Sequence, residues 1–276
     1  MPEVPAEVVP VDASTLILLR DADNAVSCFF VQRNKNTKFM GGMVVFPGGK
    51  VDEADRDPAW TSLCTAPGRP EWQSLGVAAC REALEEGAIL PVAGGSLDHA
   101  TLLDWRRRLN AESLRELVRA HGLRLDLAAL RPISRWLTPK TQSKRFDTLF
   151  FVARMPPGQE GTHDEHETVA SFWATPAEVL ARFDAGTIEL APPTHRTLEI
   201  LATKKSIDDV FALANEATLE TICPELVRHI DPEGDTMALV LPGDPEHSVR
   251  EARIAGLSRF VMRRGAWRPE PAPRLP

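Results

Sequence analysis

The chain has only four cysteines in 276 residues, and Cys28, Cys64, Cys80 and Cys223 form no Cys-x-x-Cys pair. Their scatter excludes a zinc-binding or disulfide framework and points to reduced thiols in a reducing compartment. Apolar runs are short, none approaching the length that spans a bilayer, so no membrane association is expected. The opening "MPEVPAEVVPVDAST" lacks the basic-then-apolar order of a signal peptide, and the closing "RLP" does not match a Ser-Lys-Leu peroxisomal address. A cytoplasmic location is the expectation. An excess of positive charge is also missing. The formal net charge of −7 argues against a nucleic-acid partner. It leaves room for a polyphosphate substrate, because a local metal ion reverses the sign of the field. Internal repeats and coiled-coil heptads are absent, as is any Gly-x-Ser-x-Gly sequence of a thioesterase-like nucleophile elbow.

What is present is an ordinary globular composition, 43% hydrophobic and 26% charged, long enough for one large domain with an extension. "STLILLRD" and "AVSCFFVQRN" read as a hairpin of strands around "ADNA", and "MVVF" as a third strand stopped by Pro47-Gly48-Gly49. An irregular stretch from about 56 to 71 precedes an amphipathic helix over 74–90. A helical block follows, with Ser113 or Asn110 as an internal cap. "ISRWLTP", "DTLFFVARMPP" and "VASFWATP" read as strands. "PAEVLARFDAG" is a helix with Gly186 as its stop, and "PPTHRTLEILATKKSIDDVFALANEA" is mostly helical. "TMALVLPGD" and "SRFVMRRG" suggest a last hairpin, with a disordered tail over 267–276. Strands and helices interleave without a regular β-α-β alternation, so the expected class is α/β with a mixed sheet flanked by helices.

The stretch "REALEEGAIL" carries the chemistry. It sets Glu82, Glu85 and Glu86 on one helical turn, where like charges three and four apart repel by a few tenths of a kcal/mol, about 0.2–0.5 per pair. A helix accepts this either by fanning its carboxylates into water or by placing them on a cation. Upstream, "FPGGKVDEAD" leads from a strand through a glycine turn towards the same helix. Together the two segments resemble the Nudix box, Gly-x5-Glu-x7-Arg-Glu-U-x-Glu-Glu-x-Gly-U, with U a bulky aliphatic residue. Gly49 is then the opening glycine, Arg81, Glu82, Glu85 and Glu86 the charged core, and Ile89 the closing aliphatic. Asp55 stands where the first glutamate belongs, the 25 residues Arg56 to Cys80 stand where the strict box has seven, and Gly87-Ala88 replaces x-Gly.

"QRNKNTKFMGGMVVFPGGKVDEADRDPAW" looks like the peroxisomal-type coenzyme A diphosphatase branch of that superfamily, which carries an insertion inside the box. "SRWLTP", "RFDTLFFVA", "LAPPTHRTLEIL" and "LVLPGD" resemble the same branch in the same order. The resemblance implies a Nudix-type α/β/α sandwich over 8–190, an inserted loop over 56–73, inserted helices over 97–128, and a C-terminal helical extension over 191–266 packed on it. It implies hydrolysis of a diphosphate linkage, with coenzyme A or its acyl esters as the favoured small-molecule substrate. Rival readings are ADP-ribose, a dinucleotide or a nucleoside triphosphate as substrate, or a module that binds a nucleotide-linked ligand without cutting it. Mg²⁺ or Mn²⁺ is the implied cofactor, held by Glu82, Glu85, Glu86 and the Gly49 carbonyl; hard oxygen ligands suit such ions. Arg81 orients a carboxylate. An acid in "HDEHETVASFW" is the implied general base or extra ligand, Glu167 first and Glu165 second, against a solvated acidic loop. Arg33 and Lys38, which partly match a coenzyme A signature together with Gly42, are implied substrate contacts. Arg145 is a third, against an ion pair with Asp147. Trp105, Trp136 and Trp173 read as packing aromatics. The helical block is open to two roles, a cap over the site or a homodimer surface.

Overall fold

The computed structural model describes residues 8–34, 41–109, 113–164 and 168–272. Along the chain the elements run β1 (Val11–Ala22), β2 (Ala25–Arg33), β3 (Val44–Val45), β4 (Gly48–Lys50), α1 (Trp60–Leu63), α2 (Gln73–Gly87) and β5 (Val92–Ala93). Then come α3 (His99–Arg108), α4 (Leu114–Ala120), β6 (Arg124–Leu125), β7 (Arg131–Leu137), β8 (Phe146–Arg154) and β9 (Thr168–Ala174). The chain continues with α5 (Pro176–Asp184), α6 (Pro192–Leu201), α7 (Ile207–Glu216), β10 (Thr221–Ile222), β11 (Glu225–Asp231), β12 (Gly234–Val240), β13 (Arg259–Arg263) and β14 (Ala266–Glu270).

The central sheet is mixed. It runs β10-β7-β8-β1-β2-β3, with β4 also on β1 and β9 also on β2. The β1–β8 and β10–β7 pairs are parallel and the other pairs antiparallel. Its long strands read as unbroken apolar runs because both faces are covered. Leu16 and Leu18 of β1, Phe29 and Val31 of β2, and Phe151 of β8 face one core with Ala83 and Leu84 of α2. Their alternates Ile17, Leu19, Cys28, Phe30 and Val152 face a second core with Val179, Leu198 and Val210 of α5, α6 and α7. The α/β/α sandwich follows from that alternation.

Three readings of the sequence need correction. The C-terminal extension opens with the two expected helices, α6 and α7, but continues as a four-stranded antiparallel sheet, β11-β12-β13-β14, where a single hairpin was read. The tail expected to be disordered from 267 begins inside β14, whose register pairs Trp267 with Met262 and Glu270 with Arg259. The stretch 56–73 is more than loop. It carries α1, and Cys64 bridges to Leu125 while the Thr65 amide donates to the Leu125 carbonyl at 2.9 Å. The insertion in the box therefore folds onto the inserted helical block.

Candidate active site

Three backbone events place the box. The Pro47-Gly48-Gly49 turn crosses close to β1, where a Cβ at Gly48 would meet the Ser14 carbonyl oxygen at 2.6 Å. One residue on, a Cβ at Gly49 would meet the Glu82 carboxyl carbon at 2.5 Å, so glycine is what lets helix α2 approach the turn. At its far end α2 stops with Ala88 in the left-handed region, φ 51°, where the strict box has glycine. Gly87 sits one position earlier because a Cβ there would press on the Phe29 ring at 2.9 Å.

Arg81 is the hub. Its Nε donates to Asp55 Oδ1 at 3.0 Å and its Nη2 to Asp55 Oδ2 at 2.9 Å, a forked contact. Nη2 also donates to the Lys50 carbonyl at 2.9 Å, and Nη1 donates to both Glu82 Oε1 and Glu85 Oε2 at 2.9 Å. Burial works against this guanidinium's charge, but Asp55, Glu82 and Glu85 outweigh it and hold its pKa above the ordinary value. Asp55 is 2% exposed and accepts the Asp52 amide at 2.8 Å, closing the turn that starts the insertion. Glu86, 4% exposed, accepts the Gly48 amide at 3.0 Å and faces Arg33 Nη1 at 3.3 Å. Glu85 is the crowded member. Burial pushes its carboxyl up, Arg81 pulls it down and Glu82 pushes it up again, leaving it at about 7.

Arg33, Arg81, Glu82, Glu85 and Glu86 line a cavity of about 1170 Å³, together with Lys50, Arg106, Arg107 and Asp164, while Asp55 stays behind Arg81 and does not line it. No lining residue comes from 56–80. Of the residues singled out in the sequence, Gly49, Arg81, Glu82, Glu85, Glu86 and Arg33 are brought together here. Lys38 and Glu167 lie outside the described residues. Arg145 does not line the cavity: it is 3% exposed and donates to the Thr138 carbonyl at 3.1 Å and the Val8 carbonyl at 3.0 Å. Asp147, the ion-pair partner in the alternative reading of Arg145, pairs with Arg135 at 2.7 Å instead. Sequence reasoning placed Asp55 in the box without giving it a role, and it missed Asp164, whose carboxylate accepts the Thr168 amide at 2.9 Å and its hydroxyl at 2.7 Å. The signal for Asp55 was its position six after Gly49; no spacing signal marks Asp164.

The donor set fits a hard divalent cation. It is all oxygen, three carboxylates arise from one helix, and burial makes one of them, Glu85, a reluctant anion. Arg81 Nη1 stands between Glu82 and Glu85, so the box carboxylates do not converge on one point. Among the described residues, the only His, Cys, Asp or Glu trio with mutually close ligand atoms is His229, Asp231 and Glu270 in the C-terminal sheet, and Arg263 ion-pairs with both acids of that trio.

A glycine turn under a glutamate-bearing helix, inside an α/β/α sandwich, defines a Nudix-type hydrolase. The family model described as the NUDT19 Nudix domain matches residues 67–201. A Gallus gallus protein named acyl-coenzyme A diphosphatase NUDT19 is 28% identical over 269 residues, spanning 78% of this chain and 71% of its own. The Homo sapiens protein of the same name is 28% identical over 270 residues, spanning 78% and 70%. The crystal structure of a NUDIX hydrolase from Alicyclobacillus acidocaldarius is 29% identical, covers 75% of this chain and 97% of its own, and superposes with a TM-score of 0.64. The matched model and these relatives support a Nudix hydrolase of the branch that the model describes. Enzymes of this family generally use divalent metal ions.

Proposed function

We propose that the chain hydrolyses the diphosphate linkage of coenzyme A or acyl-coenzyme A, releasing 3′,5′-adenosine diphosphate and (acyl-)phosphopantetheine. The observation that carries this reading is the gathering of Glu82, Glu85, Glu86 and Arg81 in the lining of a cavity of about 1170 Å³, more volume than a diphosphate fills. The names of the Gallus gallus and Homo sapiens relatives support the substrate class. Water supplies the oxygen that ends on phosphorus, and the leaving phosphate takes the bridging oxygen.

Glu82, Glu85 and Glu86 would hold Mg²⁺ or Mn²⁺, which when bound neutralises the diphosphate and acidifies a water molecule. Arg81 keeps Glu82 and Glu85 aimed into the cavity, and the Gly48 amide fixes Glu86. Arg33 lines the same cavity and offers a cation to the phosphates. Cytoplasmic residence goes with this reading, supported by four cysteines that form no disulfide.

The test is a product analysis. Purified protein with Mg²⁺ or Mn²⁺ is given coenzyme A, dephospho-coenzyme A, ADP-ribose, NADH and a nucleoside triphosphate, and products are resolved by mass. Preferential appearance of 3′,5′-adenosine diphosphate from coenzyme A is expected. Cleavage of the other diphosphates alone would overturn the substrate and leave the diphosphatase; cleavage of none with either metal would point to a binding module.

A further inference from the structure

Beyond the box, the cavity continues along a wall that diphosphate chemistry does not call for. The wall comes from the C-terminal sheet, downstream of the matched family model, which ends at residue 201. Strand register shows how it is built. Leu226 of β11 stands opposite Leu239 of β12, Leu239 opposite Phe260 of β13, and Met262 of β13 opposite Trp267 of β14. Side chains alternate along a strand, so Leu226, Leu239, Phe260 and Trp267 share one face of this sheet. Phe260 is sealed at 1% exposure, edge-on to His195 of α6. Leu226, Leu239 and Trp267 line the cavity, opposite Trp136 and Phe150 of the central sheet.

The opposite face of the same sheet is occupied by the chain itself. There Arg259, fully buried, is held by Asp244 at 2.7 Å and Glu246 at 2.5 Å from the segment that joins β12 to β13. The wall is thus backed by a fixed layer. At about 1170 Å³ the cavity exceeds the range of about 300–1,000 Å³ usual for compact ligands; α2 supplies only charged side chains to it, and the C-terminal sheet only Leu226, Leu239 and Trp267.

We propose that Leu226, Leu239 and Trp267 form an apolar subsite for the acyl chain of a thioester substrate whose diphosphate lies at the box. The assignment rests on the diphosphatase reading above and extends it to chain-length selection. An apolar chain on this wall gains about fourfold in binding for each methylene removed from water, until the wall ends. The pantetheine arm spans the two regions, so free coenzyme A occupies the charged end and leaves the wall wet.

The experiment compares kcat/KM for coenzyme A, acetyl-, octanoyl- and dodecanoyl-coenzyme A, in the wild-type protein and in Leu226→Glu and Trp267→Gln. The wild type is expected to prefer dodecanoyl-coenzyme A over coenzyme A by at least about tenfold, mainly through KM, and each variant to lower that ratio by about tenfold. A wild-type series flat in chain length overturns the subsite while the diphosphatase reading stands, and needs no variant to fold. Equal losses on all four substrates in both variants also overturn it, because they mark a structural role. Failure to cleave any of the four overturns the subsite together with the function it extends.

Discussion

At the residue scale the box leaves little freedom. Glu86 is buried on the Gly48 amide and Arg33, and Glu82 lies against the bare Cα of Gly49. Glu86→Gln keeps the shape but removes the charge a cation needs, together with one of the two acceptor contacts made to Arg33 and the Gly48 amide. It should cut turnover at least about 100-fold with an unchanged circular dichroism spectrum; near-wild-type turnover would refute the ligand assignment. Gly49→Ala should act through Glu82, displacing its carboxylate, with a loss of similar size. Glu85 makes a separate, pH-based prediction for the metal-free protein. Its folded pKa of about 7 lies above its ordinary value of 4.5, so its contribution to stability is complete below 4.5 and is lost as pH rises through 7. The metal-free melting temperature should therefore fall between pH 5 and pH 7.5, and Glu85→Gln should flatten that slope; an unchanged slope would rule the assignment out. These residues were legible because spacings of three and four are diagnostic on a helix. Arg145 was not, since nothing in a spacing says whether an arginine turns to a ligand or to two main-chain carbonyls.

At the element scale, the inserted helices turn out to be a clamp. The loop that enters β9 is gripped at Thr162 by all three of its polar groups. Its amide donates to the Gly87 carbonyl at 2.7 Å, its hydroxyl meets His99 Nε2 at 3.0 Å, and its carbonyl accepts from Arg106 Nη1 at 2.5 Å. One residue is thereby tied both to the end of α2 and to α3, two positions before Asp164 reaches the cavity. Removing the clamp should misplace that loop while sparing the cores. His99→Ala and Arg106→Met should each lower kcat about tenfold with KM changed less, and His99→Gln should recover part of the loss; KM effects alone would contradict a positioning role. The helices themselves were legible. Asp98 and Ser113 cap α3 and α4 through the Thr101 and Glu116 amides, and Gly186, at φ +69°, follows α5. Their purpose was not, because a hydrogen bond between Arg106 and Thr162 joins residues 56 apart.

At the scale of the whole molecule, the α/β/α sandwich was legible where strands are covered on both faces. "LILL", "CFFV" and "LFFVA" are continuous apolar runs, and the structure buries each on two sides. The C-terminal sheet was only half legible. β12 and β13 are apolar enough to read, whereas β11 mixes Arg228, His229 and Asp231 into its run, and β14 carries Pro269 at the sheet's edge, where a missing amide is tolerated. One face of this sheet packs Leu239, Phe260 and Trp267 into the second core, and a buried charge network holds the segment between β12 and β13 on the other face. Arg259 and Asp244 are both fully buried, and burial alone would raise the Asp244 carboxyl; Arg259, the Glu246 amide and the Ser258 hydroxyl outweigh it and hold it low. Breaking such a pair strands a charge, so Asp244→Ala should cost about 3 kcal/mol and lower the melting temperature by about 6–10 °C. Replacing both partners, as in Asp244→Ala with Arg259→Met, removes the stranded charge and should recover much of that loss. A double variant no more stable than the single would mean that the network's geometry, and not its charge balance, secures the sheet. Because the same sheet walls the cavity, the single variant should also blunt discrimination between long and short acyl chains at temperatures well below its melting point. That coupling is how a stability element outside the matched domain reaches the chemistry of the box.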